Sequence, residues 1–263
     1  MKTKFFIIAI TAALFASCSS DDSSGDNAPI TNYLPLTNGN YWTYDVEGQG
    51  ISNRDSLYVA NDTTINSIAY KKIKTQNLPF GFYSNSLRNN GLRKESDAIY
   101  MNGDAGLNLG NTLPIDISLT DLVIFKESAT TNQQLGSVSG SISQDFQGFP
   151  LIIDYILKTT ALETLPSFTS PDNTIYTDVK KVKITVNLKV ATTISGIPIP
   201  IAILNPQDVV VSIQYYAKNI GMVYNNTVIS YELVDLSAFG INLPIPQSNT
   251  QTQEEFLDLY QVN

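Results

Sequence analysis

Most of the chain alternates apolar and polar residues with the two-residue period of a β-strand that buries one face. The clearest case is the segment KVKITVNLKV. In it Val182, Ile184, Val186, Leu188 and Val190 share one face, while lysine, threonine and asparagine occupy the other. This pattern predicts a half-buried antiparallel strand.

The same alternation marks two later strands and sets their expected inward faces. These faces consist of Val209, Val211, Ile213, Tyr215 and Ala217 in one strand, and of Ile229, Tyr231 and Leu233 in the next. Aromatic and β-branched runs predict further strands at residues 41–46, 57–60, 65–75 and 122–126. Residues 151–163 are apolar on both faces and predict a central strand that is covered on both sides.

Turn-forming residues separate these strands. The sequence NDTT at residues 61–64 predicts a hairpin between the strands on either side of it. Asn90 and Gly91 predict a second hairpin, because a type I′ turn requires positive φ at both central positions.

At the C-terminus the pattern changes to that of a helix. Thr252 and Glu255 form a capping box, and Phe256, Leu259 and Tyr260 share one helical face. With about ten strands before it, the chain is predicted to be all-β. The expected architecture is one strongly twisted antiparallel sheet that forms a half-open barrel, followed by a short C-terminal helix.

The chain begins with the features of an export signal. Lys2 and Lys4 precede an apolar run of about a dozen residues, too short to cross a bilayer as a helix. The run ends LFASC, which resembles the bacterial lipobox and implies cleavage before Cys18 and its diacylation. Cys18 is the only cysteine, so lipidation would leave no free thiol in an oxidising compartment. The alternative is an ordinary secretory signal with a chance cysteine.

This interpretation divides the chain into a signal peptide at 1–17, a disordered tether at 18–30 and one antiparallel β domain at 31–263. The tether is rich in serine and aspartate and cannot bury a core. Asp21 and Asp22 resemble the export signal that sends lipoproteins of Bacteroidota-type bacteria to the outer face of the outer membrane. The expected location is therefore the outer membrane, with a lipid anchor on Cys18 and the domain exposed at the cell surface. A plain solvated linker is the alternative.

The charge of the chain argues against nucleic acid as a partner. The sequence has 16 basic and 24 acidic side chains, a formal charge of −8. Without Lys2 and Lys4 of the signal peptide the formal charge becomes −10. The remaining lysines form no cluster of the kind that phosphate binding requires.

Two segments near the ends of the β domain resemble a known signature. The first is YLPLTNGNYWTY at residues 33–44, and the second is YYAKNIGMVYNN at residues 215–226. In this order they resemble a family of uncharacterised Bacteroidota-type envelope lipoproteins. The resemblance covers nearly the whole mature chain and implies a curved antiparallel sheet, broadly like periplasmic lipoprotein carriers with half-open barrels. It implies no activity.

Three residues of this signature have an expected structural role. Gly39 supports a turn before the first strand. Trp42, the only tryptophan, is expected to fill the core. Gly221 is expected to take a positive φ between two strands. Ligand contact is the alternative role for Trp42 and Gly221.

The residue types exclude most catalytic chemistry. The chain has no histidine, and its single cysteine is assigned to lipid, so nucleophilic triads and zinc sites are not expected. A carboxylate pair remains open, with Asp145, Asp154 and Glu163 as candidates. A calcium loop at Asn102, Asp104 and Asn108 also remains open, although an ordinary turn explains that segment better. No enzyme activity, cofactor or metal is predicted.

Two segments combine isoleucine or leucine with proline at alternate positions: SGIPIPIAILNP at residues 195–206 and FGINLPIPQ at residues 239–247. Because proline lacks a backbone N–H, these segments are not expected to be central strands. These segments could pack as edges over the barrel mouth or form an apolar surface for a ligand or partner. The second interpretation makes ligand-binding candidates of Ile197, Ile199, Ile201, Leu243 and Ile245.

These patterns favour a lipid-anchored, non-catalytic envelope module that binds an apolar small molecule, a glycan or an envelope protein. A structural or adhesive surface protein with exposed tyrosines is a close alternative. A carboxylate-dependent hydrolase is a third.

Overall fold

The computed structural model describes residues 32–109, 113–193, 199–237 and 245–263. The predicted signal peptide and tether lie outside these residues, and so do Cys18, Ile197 and Leu243. Thr31–Asn263 forms one compact unit.

The alternating segments form twelve strands within the described residues. They are β1 Tyr41–Gly48, β2 Ile51–Ile65, β3 Ile68–Thr75, β4 Gly91–Glu95, β5 Ala98–Leu109 and β6 Leu113–Lys126, then β7 Gln134–Phe146, β8 Phe149–Thr169, β9 Ile175–Thr192, β10 Ile201–Ala217, β11 Gly221–Glu232 and β12 Ser248–Gln261. One short helix, α1 (Phe82–Leu87), lies between β3 and β4. The prediction of an all-β fold is confirmed.

All twelve strands belong to one antiparallel sheet. Its order is β6-β5-β4-β3-β2-β1-β12-β11-β10-β9-β8-β7. Each half of the chain is therefore a meander of neighbouring hairpins, and pairing of β1 with β12 joins the halves, with Tyr41 opposite Gln261.

The sheet curves until its two edge strands, β6 and β7, approach each other. No backbone ladder joins them in the described residues, and side chains bridge the seam instead. Thr159 of β8 donates its hydroxyl to the Val123 carbonyl at 2.5 Å, and Gln144 Nε2 donates to the Pro114 carbonyl at 3.1 Å. The result is a nearly closed barrel, as the predicted half-open barrel anticipated.

A twelve-stranded sheet encloses more space than its inward side chains can fill, since about eight strands suffice for a solid interior. Here Tyr33, Leu34 and α1 occupy the lumen. Tyr83 of α1 packs edge-on against Tyr44 and Tyr216, with ring centroids 5.7 and 6.3 Å away.

The two signature segments meet in space. Trp42 is buried on β1 and donates its indole N–H to the Ile220 carbonyl at 2.6 Å. Gly221 has φ +124°, and a Cβ there would lie 2.8 Å from Trp42 Nε1. Gly39 has φ +88° in the turn before β1. Only glycine accommodates the close approach of the indole at Gly221.

The predicted C-terminal helix is wrong. Residues 248–261 form β12, which pairs with β1 on one side and β11 on the other. Thr252 and Glu255 therefore cap no helix of their own, and Phe256, Leu259 and Tyr260 lie along a strand. The short apolar pattern fitted a helical period, but two neighbouring strands offer a complete set of backbone hydrogen bonds, which outweighs local propensity.

The predicted inward face of β10 is also wrong for most of the strand. Val210, Ser212, Gln214 and Tyr216 are buried, whereas Val211, Ile213 and Tyr215 lie on the half-buried outer side. The register shifts near Asp208, and such a bulge moves the following residues to the other face. The inner face of β10 includes the polar residues Ser212 and Gln214, so the alternating apolar residues of this strand lie on the outer face.

Two turns lie elsewhere than predicted. NDTT belongs to β2, and the hairpin turns at Asn66 and Ser67, both with positive φ. Asn90 and Gly91 form no hairpin turn. Asn90 is buried and its Nδ2 donates to the carbonyls of Ser86 and Asp104, so it joins α1 to β5.

The strand covering residues 151–163 is penultimate in the sheet, not central. Ile156 is exposed on its outer face, so this segment of β8 is covered mainly on its inner side.

Replacement of Gly221 by alanine should destabilise the domain by ~2–4 kcal/mol, because positive φ and a clash with the indole add together. Gly39→Ala is the matched control. It shares a positive φ but has no atom within 4 Å of its Cβ position, so a loss of about 1 kcal/mol is expected. Urea unfolding of both variants checks this, and equal losses would show that Trp42 does not restrict position 221.

Candidate functional site

One end of the barrel, here called the mouth, gathers the ends of strands from all around the sheet. The β1–β2 turn, the ends of β7 and β9, and the starts of β8, β10 and β12 all lie there, as the strand pairing requires. The expectation that the proline-containing segments are not central strands is wrong for residues 201–206, which begin β10 between β9 and β11. Pro206 lies where the pairing of β10 with β9 shifts register, and such a bulge tolerates a residue without a backbone N–H. Asn32, where the described chain begins, contacts Asn219 at the opposite end.

A cleft of about 380 Å³ opens at the mouth on the inner side of the sheet. Its apolar wall consists of Ile51, Leu78, Phe80, Phe82, Leu107 and Ile229. The polar residues along it are Gln49, Asn85, Gln251, Thr252 and Gln253. No charged side chain lines the cleft within the described residues.

The segment before α1 forms the floor of the cleft, and a buried aspartate holds it. Asp55 of β2 accepts hydrogen bonds from the N–H groups of Phe80 (2.8 Å) and Gly81 (2.7 Å). Gln253 of β12 accepts from the Phe82 N–H at 2.6 Å and donates to the Phe80 carbonyl at 2.9 Å.

Glu255 caps α1 from across the lumen. The helix has no acidic residue in its first turn and no side-chain cap at Gly81. Glu255 Oε1 accepts the Tyr83 N–H at 2.7 Å, and Oε2 accepts the Ser84 N–H at 3.4 Å. A Cβ at Gly81 would overlap the Glu255 carboxylate, so the carboxylate needs a glycine there. Free N–H groups at a helix start favour such an acceptor.

Behind Glu255 lies a buried polar network. Asn225 donates to Glu255 at 2.7 Å and to Thr227 at 3.0 Å, and Ser212 donates to Asn225 at 2.7 Å. The buried Ser84 hydroxyl nearby has no hydrogen-bond partner among the described residues. The lumen is thus polar beneath α1.

Burial raises the pKa of Glu255 to about 7, and the nearby Asp55 charge adds to the rise. Hydrogen bonds from Tyr83, Asn225 and Ser84 act in the opposite direction, because they stabilise the carboxylate. Glu255 is therefore a buried acid that titrates near neutrality.

Three of the five ligand-binding candidates from the sequence belong to the described residues, and none of these three lines the cleft. Ile199 is 68% exposed. Ile201 and Ile245 are half-buried and pack against the core. The structure brings none of these three described residues into the cleft wall. Nothing tests their contact with a ligand, which stays a prediction.

The three carboxylates suggested for catalysis lie on the outer side of the barrel. Asp154 pairs with Lys189 at 3.4 Å, and Glu163 pairs with Lys181 at 2.6 Å. Asp145 accepts the Gly148 N–H at a hairpin. They do not converge on one cleft.

The segment considered for calcium is part of strand β5, not a turn. Asp104 accepts from Ser118, and its backbone pairs with Asn90. The side chain of Asn108 lies outside the described residues. Across the described chain, no three acidic side chains come together as a metal site. No helix in that part is long and apolar enough to cross a membrane.

Sequence reasoning missed the residues that build the cleft. Asp55, Glu255 and α1 are far apart in the chain, and no local pattern links them. The one available signal was the segment NLPFGF at residues 77–82, an apolar stretch with proline and glycine between two strands.

The fold and the cleft define the class: an all-β protein with one nearly closed antiparallel sheet, a plugged lumen and an uncharged cleft at the mouth. No protein-family model matches the chain, and no curated protein does. One solved structure, provisionally described as a lipoprotein from Parabacteroides distasonis, aligns over 88% of this chain and 99% of its own. The TM-score is 0.37 with 13% sequence identity, too low to support an argument about this protein.

The domain should lose stability as pH rises from about 4.5 to about 7, because folded Glu255 keeps a proton that the unfolded chain releases. The aspartates with lowered pKa values, such as Asp121, act below this window. A loss of ~1–3 kcal/mol is expected between pH 5 and pH 7.5. Urea midpoints at both pH values measure it.

Glu255→Gln is the control for this prediction. It keeps an acceptor oxygen under α1 and cannot ionise, so its stability should change much less over the same range. An equal pH dependence in both proteins would assign the titration to another group.

Proposed function

We propose that this protein is a lipid-anchored, non-catalytic binding protein of the bacterial envelope. Its ligand would occupy the cleft at the mouth. The observation that carries the proposal is the cleft itself, because about 380 Å³ lies within the size range of small-molecule sites. An apolar wall with a few neutral amides is the usual composition of such sites.

A lipid anchor on Cys18 would attach this binding protein to the membrane. Acylation of Cys18 supplies more than the two signals that stable membrane attachment needs. The resemblance of Asp21 and Asp22 to a surface export signal supports a location on the cell surface. The described domain begins at the end opposite the mouth, which supports a mouth that is accessible to ligand.

The buried acids support a role in binding over one in catalysis. Asp55 and Glu255 both accept hydrogen bonds from main-chain N–H groups, and both are buried beneath the cleft floor. A hydrolytic pair needs one acid free to reach the substrate and transfer a proton.

A second candidate, an adhesive surface protein, has one observation in its favour. Four aromatic side chains form a row across the outer face of β8, β10, β11 and β12. The ring centroids of Phe168 and Tyr215 are 4.3 Å apart, those of Tyr215 and Tyr224 are 5.2 Å apart, and those of Tyr224 and Phe256 are 5.4 Å apart. Tyr224 is buried and the other three side chains are half-buried, so the cleft remains the stronger candidate.

The double variant Ile51→Asp, Leu78→Asp should lose most of the small molecule that copurifies with the β domain from its own envelope extract. Two carboxylates in an apolar wall should weaken binding about tenfold or more. Native mass spectrometry of residues 31–263 measures the bound mass.

The matched control is Ile68→Asp, Ile175→Asp, which changes two similarly exposed isoleucines at the opposite end. It should retain the ligand. Equal retention in both variants would place the ligand outside the cleft, and an apo mass for the wild type would favour the adhesive role.

Cys18→Ser should abolish incorporation of radiolabelled palmitate and release the protein from membranes. Because serine is not acylated by this route, the variant tests the anchor without touching the β domain. Fractionation of cells expressing the full chain measures the release. Membrane retention without palmitate would contradict a lipid anchor on Cys18.

A further inference from the structure

A second, smaller cavity lies behind the cleft, between α1 and the seam of the barrel. Its volume is about 30 Å³. Its lining includes Met101, Ala105, Ile117, Leu122, Ile184 and Val186. Among the described residues, the one polar side chain in this lining is Ser86, whose hydroxyl already donates to the Phe82 carbonyl, so this inner cavity disfavours a polar guest.

The cleft and the inner cavity share part of their walls. Phe82, Gly106 and Leu107 line both. Gly106 contributes no side chain, so the side chains of Phe82 and Leu107 separate the two spaces, and Phe82 is the one that belongs to α1. Gln253 holds the Phe82 backbone, while the Phe82 side chain is only half-buried. A rotation of this ring would therefore join the two spaces without moving the helix.

The cleft is neutral at its wall and acidic below its floor. Asp55 is only 4% exposed and lies under Phe80 and Gly81, with Glu255 beside it. Asn85 and Gln251 line the cleft, and their side-chain amides have no hydrogen-bond partner among the described residues. This arrangement suits hydroxyl groups and opposes an anion.

We propose that the cleft and the inner cavity form one site for a single-chain amphiphile with an uncharged hydroxyl headgroup, of the monoacylglycerol class. The headgroup binds at Asn85 and Gln251. The acyl chain passes Phe82 and ends in the inner cavity. This inference rests on the proposed function and adds its ligand class and binding orientation.

The test uses the full chain in membranes of cells that express it. A long-chain monoacylglycerol with a diazirine at the chain end is added and photolysed, and labelled peptides are identified by mass spectrometry. Competable label should fall on residues 101–107 and 117–124, which line the inner cavity. Ala105→Leu fills the inner cavity, so the end of the acyl chain can no longer bury its apolar surface there. This variant should reduce the label about tenfold.

Ala69→Leu, the same change on an exposed strand position outside both cavities, should leave the label unchanged. Unlabelled monoacylglycerol should compete at least about tenfold better than the fatty acid of equal chain length, owing to the acidic floor. Equal competition by the fatty acid would overturn the headgroup assignment.

The remaining outcomes separate this inference from the proposed function. Label confined to residues 78–82 and 251–253, and insensitive to Ala105→Leu, would overturn the inner-cavity assignment and leave the cleft as a binding site. Absence of competable label at both places would overturn this inference, while a different copurifying mass lost in the Ile51→Asp, Leu78→Asp variant would still support the cleft.

Discussion

A barrel of twelve strands must fill a lumen wider than its own side chains can span, and this structure meets that constraint with one short helix. Six residues of α1 cannot hold their own conformation in isolation, since helices this short are unstable in water. Two buried carboxylates stabilise the helix and the segment that precedes it. Asp55 holds the segment before α1, and Glu255 caps its first turn. Without these acceptors, buried N–H groups would lack partners, at a cost of about 1–3 kcal/mol each.

The same contacts determine the shape of the mouth. Phe80 and Phe82 lie in the cleft wall because their backbone groups are tied to Asp55 and Gln253. Structural support and the candidate ligand site are therefore built from one set of hydrogen bonds. Burial of Glu255 for this purpose destabilises its charged form, so its carboxyl group titrates near neutral pH inside the barrel. The main-chain N–H groups and Asn225 compensate part of that cost.

Local patterns were enough to predict the sheet but not its interior. The alternation around Val186 identified β9 correctly, because that strand buries a purely apolar face. Inside β10 the buried residues include Ser212 and Gln214, so the pattern pointed to the wrong face. The local pattern predicts that Glu255 helps cap a helix at its own position. It caps α1 instead, about 170 residues earlier in the chain, and no periodicity records such a pairing.

The strand order has a consequence for how the chain reaches this structure. Each meander forms from hairpins of neighbouring strands, which close quickly, whereas β1 pairs with β12 across almost the full domain. Until β12 pairs with β1, the first meander exposes β1 as an unpaired edge strand. The second meander then exposes β12 in the same way. Two chains folding close together could pair β1 of one with β12 of the other, as in domain-swapped assemblies. Dilution during folding would favour the closed monomer, because pairing within one chain does not depend on concentration.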